Sequence, residues 1–194
     1  MSTKTGVKAK PRKPRRTVAQ MKSGVISVVQ SVRDNIDRRN EVSRTRVVMI
    51  SRDIRGVDAE LASLGADYEH MRLPLAIYRD VLSVLQACEL RRLDIADDSA
   101  AAVDPYLSAI KSARSMAECR SLGEEFCGVL DRFEEDALRT GLDQLFEAVA
   151  CVGGSVIDIM QPYSSGDAFS ECDERKLRQL SATMSLLNRD VIAE

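Results

Sequence analysis

The side chains best placed to do chemistry in this sequence are its cations. The stretch KAKPRKPRR, residues 8 to 16, puts six Lys or Arg and two Pro into nine residues. Such a run is drawn to phosphate, anionic lipid or an acidic protein face by charge rather than by shape. Lys8, Lys10, Arg12, Lys13, Arg15 and Arg16 are therefore the first candidate nucleic-acid-binding residues. Arg33, Arg44 and Arg55 extend the set, because a spacing of 11 turns a helix only about 20 degrees past three full turns and leaves all three nearly in line. Arg38, Arg39, Arg46 and Arg52 belong to the same half of the chain. A row of guanidinium groups continuing from a basic arm is suited to tracking a phosphate backbone. Asp34, Asp37, Glu41, Asp53 and Asp58 are interspersed, and the plainer reading is a solvated helix face. With no Trp and 4% aromatic residues, stacking on bases is not on offer, so sequence-specific recognition is not expected.

Catalysis has little to work with. The lone histidine, His70, has no second His or Cys at ligand spacing and reads as a surface or capping residue. No phosphate-binding glycine loop, dinucleotide fingerprint, HExxH, GxSxG or calcium loop occurs. Carboxylate clusters such as Glu124 with Glu125, or Glu134, Glu135 and Asp136, lack the ExxH partners of a di-metal bundle. The expectation is a non-enzymatic protein without cofactor or metal. Five cysteines, at 88, 119, 127, 151 and 172, form no CxxC pair and sit in or near apolar helical patterns. They read as buried free thiols in a reducing intracellular compartment, cytoplasm or nucleus, or inside a virion were the protein viral.

Positioning these groups falls to helices. Hydrophobic residues make up 44% of the 194, enough for a substantial core, and the bias to Ala, Leu, Glu and Arg favours helix over sheet. Residues 1 to 16 have too little apolar surface to offset ordering and read as a disordered basic arm. Residues 61 to 194 carry 13 Lys or Arg against 24 Asp or Glu, a balance of 13 − 24 = −11, so the arm is attached to an acidic body. Thr17 with Gln20 forms a capping box that starts a helix. Val47, Ile50, Ile54, Val57, Leu61, Leu64, Tyr68 and Met71 follow at spacings of 3 and 4 without an error, while Asn40 and Ser43 make the same stripe polar in its middle. One helix over about 17 to 72 would be roughly 80 Å long, unless Gly65 interrupts it; Pro74 must end or reset it.

Shorter helices should follow. One covers 75 to 93; a loop, IADDSAAAV, leads to Asp104 and Pro105, an N-cap with proline at the first helical position, opening a helix to about 119. Ser121 with Glu124 caps another, running to about 152 and closed by Gly153 and Gly154. Val156 to Met160 is an apolar run of undefined type, and PYSSGD is a loop. Ser170 and Asp173 cap a last helix carrying Leu177, Leu180, Met184, Leu187 and Val191. The fold class is all-α: a long coiled-coil-like helix over 17–73, packed with an acidic bundle over 74–194.

Branched residues at d positions and facing Asp53 and Asp58 argue against a parallel dimer. The stripe should instead pack antiparallel on its own chain, with the C-terminal helix as one candidate, or enter a larger assembly. Helices of 25 to 45 Å cannot cover roughly 80 Å one at a time, so Val47, Ile50, Ile54, Val57, Leu61 and Leu64 are the candidate oligomer interface. The leading expectation is an assembly protein that self-associates through helices and binds RNA or DNA non-specifically through its arm. In layout alone, a basic arm ahead of a helical body is similar to viral nucleocapsid proteins. The alternative is a helical adaptor whose arm is a localisation signal or docks on an acidic protein surface. Stable membrane insertion is not expected, since no run approaches the ~18 apolar residues a span needs.

Overall fold

The computed structural model describes residues 17–139, 141–163 and 167–192. The arm cations Lys8, Lys10, Arg12, Lys13, Arg15 and Arg16 lie outside the described residues. Five helices, α1 (Val18–Ser63), α2 (Arg72–Ser112), α3 (Met116–Arg139), α4 (Leu142–Met160) and α5 (Glu171–Ile192), account for the fold, with 3-10 segments at Ala66–Met71 and Gln161–Tyr163 and no strand among the described residues.

The capping box opens α1 as its residue types require. Thr17 Oγ1 accepts the Gln20 amide at 3.2 Å, and Gln20 Oε1 accepts the Thr17 amide at 3.0 Å, which satisfies two donors that the first turn leaves over. The helix does not reach residue 72. It stops at Ser63, where Leu64 turns extended (φ −62°, ψ 117°), and the chain reverses through Ala66–Met71, so that Tyr68 is exposed while Met71 still packs on the cluster of Val57, Leu75 and Leu82. Pro74 neither ends nor resets a long helix. It is the third residue of α2, where an amide would have no intrahelical acceptor and the fixed φ is already helical. A division at 73/74 therefore falls inside the first turn of α2.

The loop expected over 95–103 is helix. α2 runs unbroken for 41 residues with Pro105 inside it. Pro105 removes one amide donor at a local cost of about 3 kcal/mol, but Val103 and Ile110 on either side are wholly buried in a core shared with Val29 and Phe126, and that burial offsets it. Asp104 caps nothing; its carboxylate accepts from Arg33 Nε at 2.8 Å. The next break comes at Ala113 rather than near Ser121. Ser115 Oγ accepts the Glu118 amide at 3.1 Å and Glu118 accepts the Arg114 amide at 2.6 Å, and these bonds, the Arg114 amide foremost, hold the Glu118 carboxyl below its ordinary range. Ser121 lies inside α3, donating to Glu125 at 3.0 Å.

Gly153 and Gly154 do not end a helix either. The break falls at Gly141, whose φ of +56° is left-handed and so favours a residue without Cβ. α4 continues through Gly153, where a Cβ would stand 2.9 Å from Val81 Cγ1: this glycine lets α4 approach α2. Val156 to Met160 form the end of α4. The last cap is as expected, Ser170 Oγ accepting the Asp173 amide at 3.2 Å.

α1 and α2 form an antiparallel hairpin, and a ladder of cross-helix bonds fixes its register. Arg33 pairs with Asp104, Asn40 Nδ2 donates to Asp97 at 2.9 Å, Gln86 Nε2 donates to Ser51 at 2.6 Å, and Arg79 pairs with Asp58 at 2.9 Å. From Arg33 to Asn40 is seven residues forward and from Asp104 to Asp97 seven back; Ser51 to Asp58 and Gln86 to Arg79 repeat the step. α3 packs on the hairpin where α1 begins. Near the reversal, α4 and α5 pack on α2 through Val81, Val84, Cys88, Val149, Val156, Leu177 and Met184. The partner of the long stripe is thus α2, not the C-terminal helix, because the unbroken α2 is about 62 Å long against about 69 Å for α1.

Candidate functional site

Val57 is buried against Leu75 and Leu82 of α2, with Ile50, Ile54, Leu61 and Leu64 packed on the same cluster; Val47 is partly buried. The candidate oligomer seam is covered by the protein's own second helix. Sequence reasoning left stripe over for another molecule only because it cut α2 in two.

The arginine line divides. Arg33 reaches across to Asp104 and along α1 to Asp37, and those hydrogen bonds, Asp104 first, raise its already high pKa. Arg44 stands 3.9 Å from Asp97. Both belong to the hairpin ladder, leaving of the original three only Arg55, which is exposed and makes no ion pair among the described residues. Arg38, Arg39 and Arg52 are likewise exposed without an ion pair. These four, with half-exposed Val42 and the more exposed Val48 (68%) and Met49 (60%), occupy the outer sides of α1, away from α2.

Between the apolar ends, the middle of the hairpin is polar. Asn40, Ser43, Glu89 and Ser99 are the buried polar residues of the described chain. Glu89, 0% exposed, accepts from Arg46 Nη1 at 3.1 Å and Arg92 Nη1 at 2.6 Å. Arg92 also donates to Asp143 of α4 at 2.6 Å and lies over the Phe146 ring, 4.7 Å from its centroid. This chain of charges ties α1, α2 and α4 together. About two helical turns further along α2, Asn40, Glu41, Arg44 and Asp97 line a depression of about 460 Å³. The polar seam was legible at Asn40 and Ser43; its partner Asp97 was hidden in the supposed loop, although a seven-residue ladder carried across an unbroken α2 points to it.

His70 is partly buried, with its ring edge-on to Phe169 at 5.4 Å and near Tyr68 at 6.2 Å; it packs under the segment leading into α5 rather than capping. Cys88 and Cys119 are buried as expected, whereas Cys127, Cys151 and Cys172 are exposed, because they fall on the outer faces of α3, α4 and α5. Burial pushes the Cys88 thiol up, away from the reactive thiolate. No group of three His, Cys, Asp or Glu able to hold a metal occurs among the described residues, and no described helix is long and apolar enough to cross a membrane.

No protein-family model, curated protein or solved structure matches this chain.

Proposed function

We propose that the protein is a non-enzymatic helical carrier that binds nucleic acid non-specifically through its basic arm, with the unpaired arginines of α1 continuing the cationic surface. The observation that carries this is the charge layout. Seven Lys or Arg and no acid occupy residues 1 to 16, and α1 opens directly after them on a full capping box. Arg38, Arg39, Arg52 and Arg55 on the same helix make no ion pair among the described residues, so their charges are available to phosphate. Arg33 and Arg44, tied to Asp104 and Asp97, drop out of the binding set. Because α2 covers the Val47–Leu64 seam, the reading no longer includes self-association through it.

Binding of a generic single-stranded RNA at several salt concentrations tests the proposal. Each phosphate contact contributes about 0.7 to the slope of log K against log salt, so deleting residues 1 to 16 should flatten that slope by several such steps. An unchanged affinity and slope sinks it.

A second reading rests on Val42, Val48 and Met49, three large apolar side chains exposed within eight residues of α1. They favour a helical adaptor with a protein partner on that face, the arm serving as a localisation or docking signal. Asp at Val48 and Met49 should release such a partner and leave RNA binding unchanged.

A further inference from the structure

We infer that the depression at the middle of the hairpin is a binding site for a primary ammonium group. Its floor is Asn40, 6% exposed. The Asn40 Nδ2 donates to Asp97 Oδ1 at 2.9 Å, which fixes the orientation of the amide, and Oδ1 is then a buried acceptor without a hydrogen-bond partner among the described residues. A buried acceptor left unpaired is costly, so a ligand that donates there is favoured before any charge is counted. Two further acceptors line the same depression: the Glu41 carboxylate and the second oxygen of Asp97, neither of which has an ion-pair or side-chain partner among the described residues. An ammonium group has three donors and no acceptor, which matches this set.

Charge agrees with that choice. Three acids, Asp37, Glu41 and Asp97, line the depression against two bases, Arg33 and Arg44. Arg33 is held by Asp37 and Asp104, so an anion would find only Arg44, facing two carboxylates and a carbonyl oxygen. The arm itself supplies one source of the group. Lys4 lies 13 residues before Thr17, and 13 extended residues reach about 43 Å, against about 35 Å along the helix from Thr17 to Asn40. A free small amine is the other source.

Amide and side-chain amide spectra of the full-length protein, titrated with methylammonium chloride, test the site. Saturable shifts confined to Asn40, Glu41, Arg44 and Asp97 are expected, absent with tetramethylammonium, which has no donor, and with sodium chloride. Asn40→Leu should weaken binding about tenfold, and Asp97→Asn, which keeps the shape, should weaken it as well. The source is read from Lys4, Lys8 and Lys10 changed together to Gln. If the arm fills the site, this variant moves the Asn40 signals before any amine is added; if they stay, the ligand is a free amine, and both outcomes keep the site. A response shared by tetramethylammonium, or no saturable response in either protein, overturns it. RNA binding is scored separately in the same samples, so failure of the nucleic-acid reading leaves this result untouched.

Discussion

The two ends of the α1–α2 hairpin and its middle are built from the same helices but solve different problems. At one end α3 covers the pair and at the other α4 and α5 back α2, and the buried side chains are apolar: Val29, Val103, Ile110 and Phe126 at the first, Val57, Leu75 and Leu82 at the second. In the middle the seam carries Asn40, Ser43, Glu89 and Ser99. Apolar burial is non-directional and supplies most of the stability, whereas a buried amide or carboxylate adds little net energy but penalises any pairing that leaves it without partners. The ends hold the hairpin shut; the middle decides which residues face each other.

The sharpest way to break that comparison is to remove apolar volume from an end. Phe126 is 2% exposed and packs against Tyr106 with ring centroids 5.6 Å apart. Phe126→Ala should cost about 3–5 kcal/mol in urea unfolding monitored by circular dichroism, with the register of the hairpin unchanged. A loss under 1 kcal/mol would mean that α3 is not part of the cooperative unit. Next in size is Glu89→Ala, which among the described residues strips Arg92 of one of its two carboxylates and Arg46 of its only one. About 2 kcal/mol should be lost in the same measurement.

Opposite in sign is Asn40→Leu. An apolar residue at a polar seam position removes an unsatisfied buried acceptor and should be neutral or stabilising by about 1 kcal/mol. Specificity is what it should lose. Spin labels on the outer faces of α1 and α2 would show one distance in the wild type and a broadened distribution in the variant. A single unchanged distance would show that the Arg33–Asp104 and Arg79–Asp58 pairs set the register without help from Asn40.

Sequence reading succeeded where the signal is local and failed where a distant contact outweighs it. Thr17 with Gln20 and Ser170 with Asp173 are caps complete within four residues, so nothing remote can undo them. The heptads from Val47 to Leu61 survive because their spacing is itself the contact pattern. Asp104–Pro105 and Ser121–Glu124 look like helix starts with equal local merit, yet the first lies between residues buried on α1 and α3, and the chain stays helical through it. Gly153 reads as a terminator from one strand of text; only the closeness of Val81 shows it to be a packing glycine, and the true break, Gly141, has no more conspicuous neighbours. For the site, Arg33 and Arg44 are indistinguishable in sequence from Arg38 and Arg52. Their difference lies entirely in facing Asp104 and Asp97 across a hairpin whose second arm was not recognised as one helix.

The smallest effect concerns the surface lock that ties the loop to α5. Asp173 accepts from Ser170 Oγ and from the Tyr163 hydroxyl, each at 2.7 Å, and from Lys176 Nζ at 3.1 Å, and these bonds, Ser170 first, bring its pKa down to about 2. A carboxylate whose folded pKa lies below its unfolded value of 3.8 stabilises the protein fully above the unfolded pKa and ceases to do so as pH falls through about 2. The urea midpoint should therefore decline between pH 4 and pH 2 in the wild type, and less steeply in Asp173→Asn, with the two converging at the acid end. Since the lock is partly buried and reaches the hairpin only through Tyr163, which packs on the α2 side of the core, Asp173→Asn should leave the spin-label distance between α1 and α2 as it is. A shift in that distance would mean that α5, which packs on α2 and α4, takes part in setting the register after all.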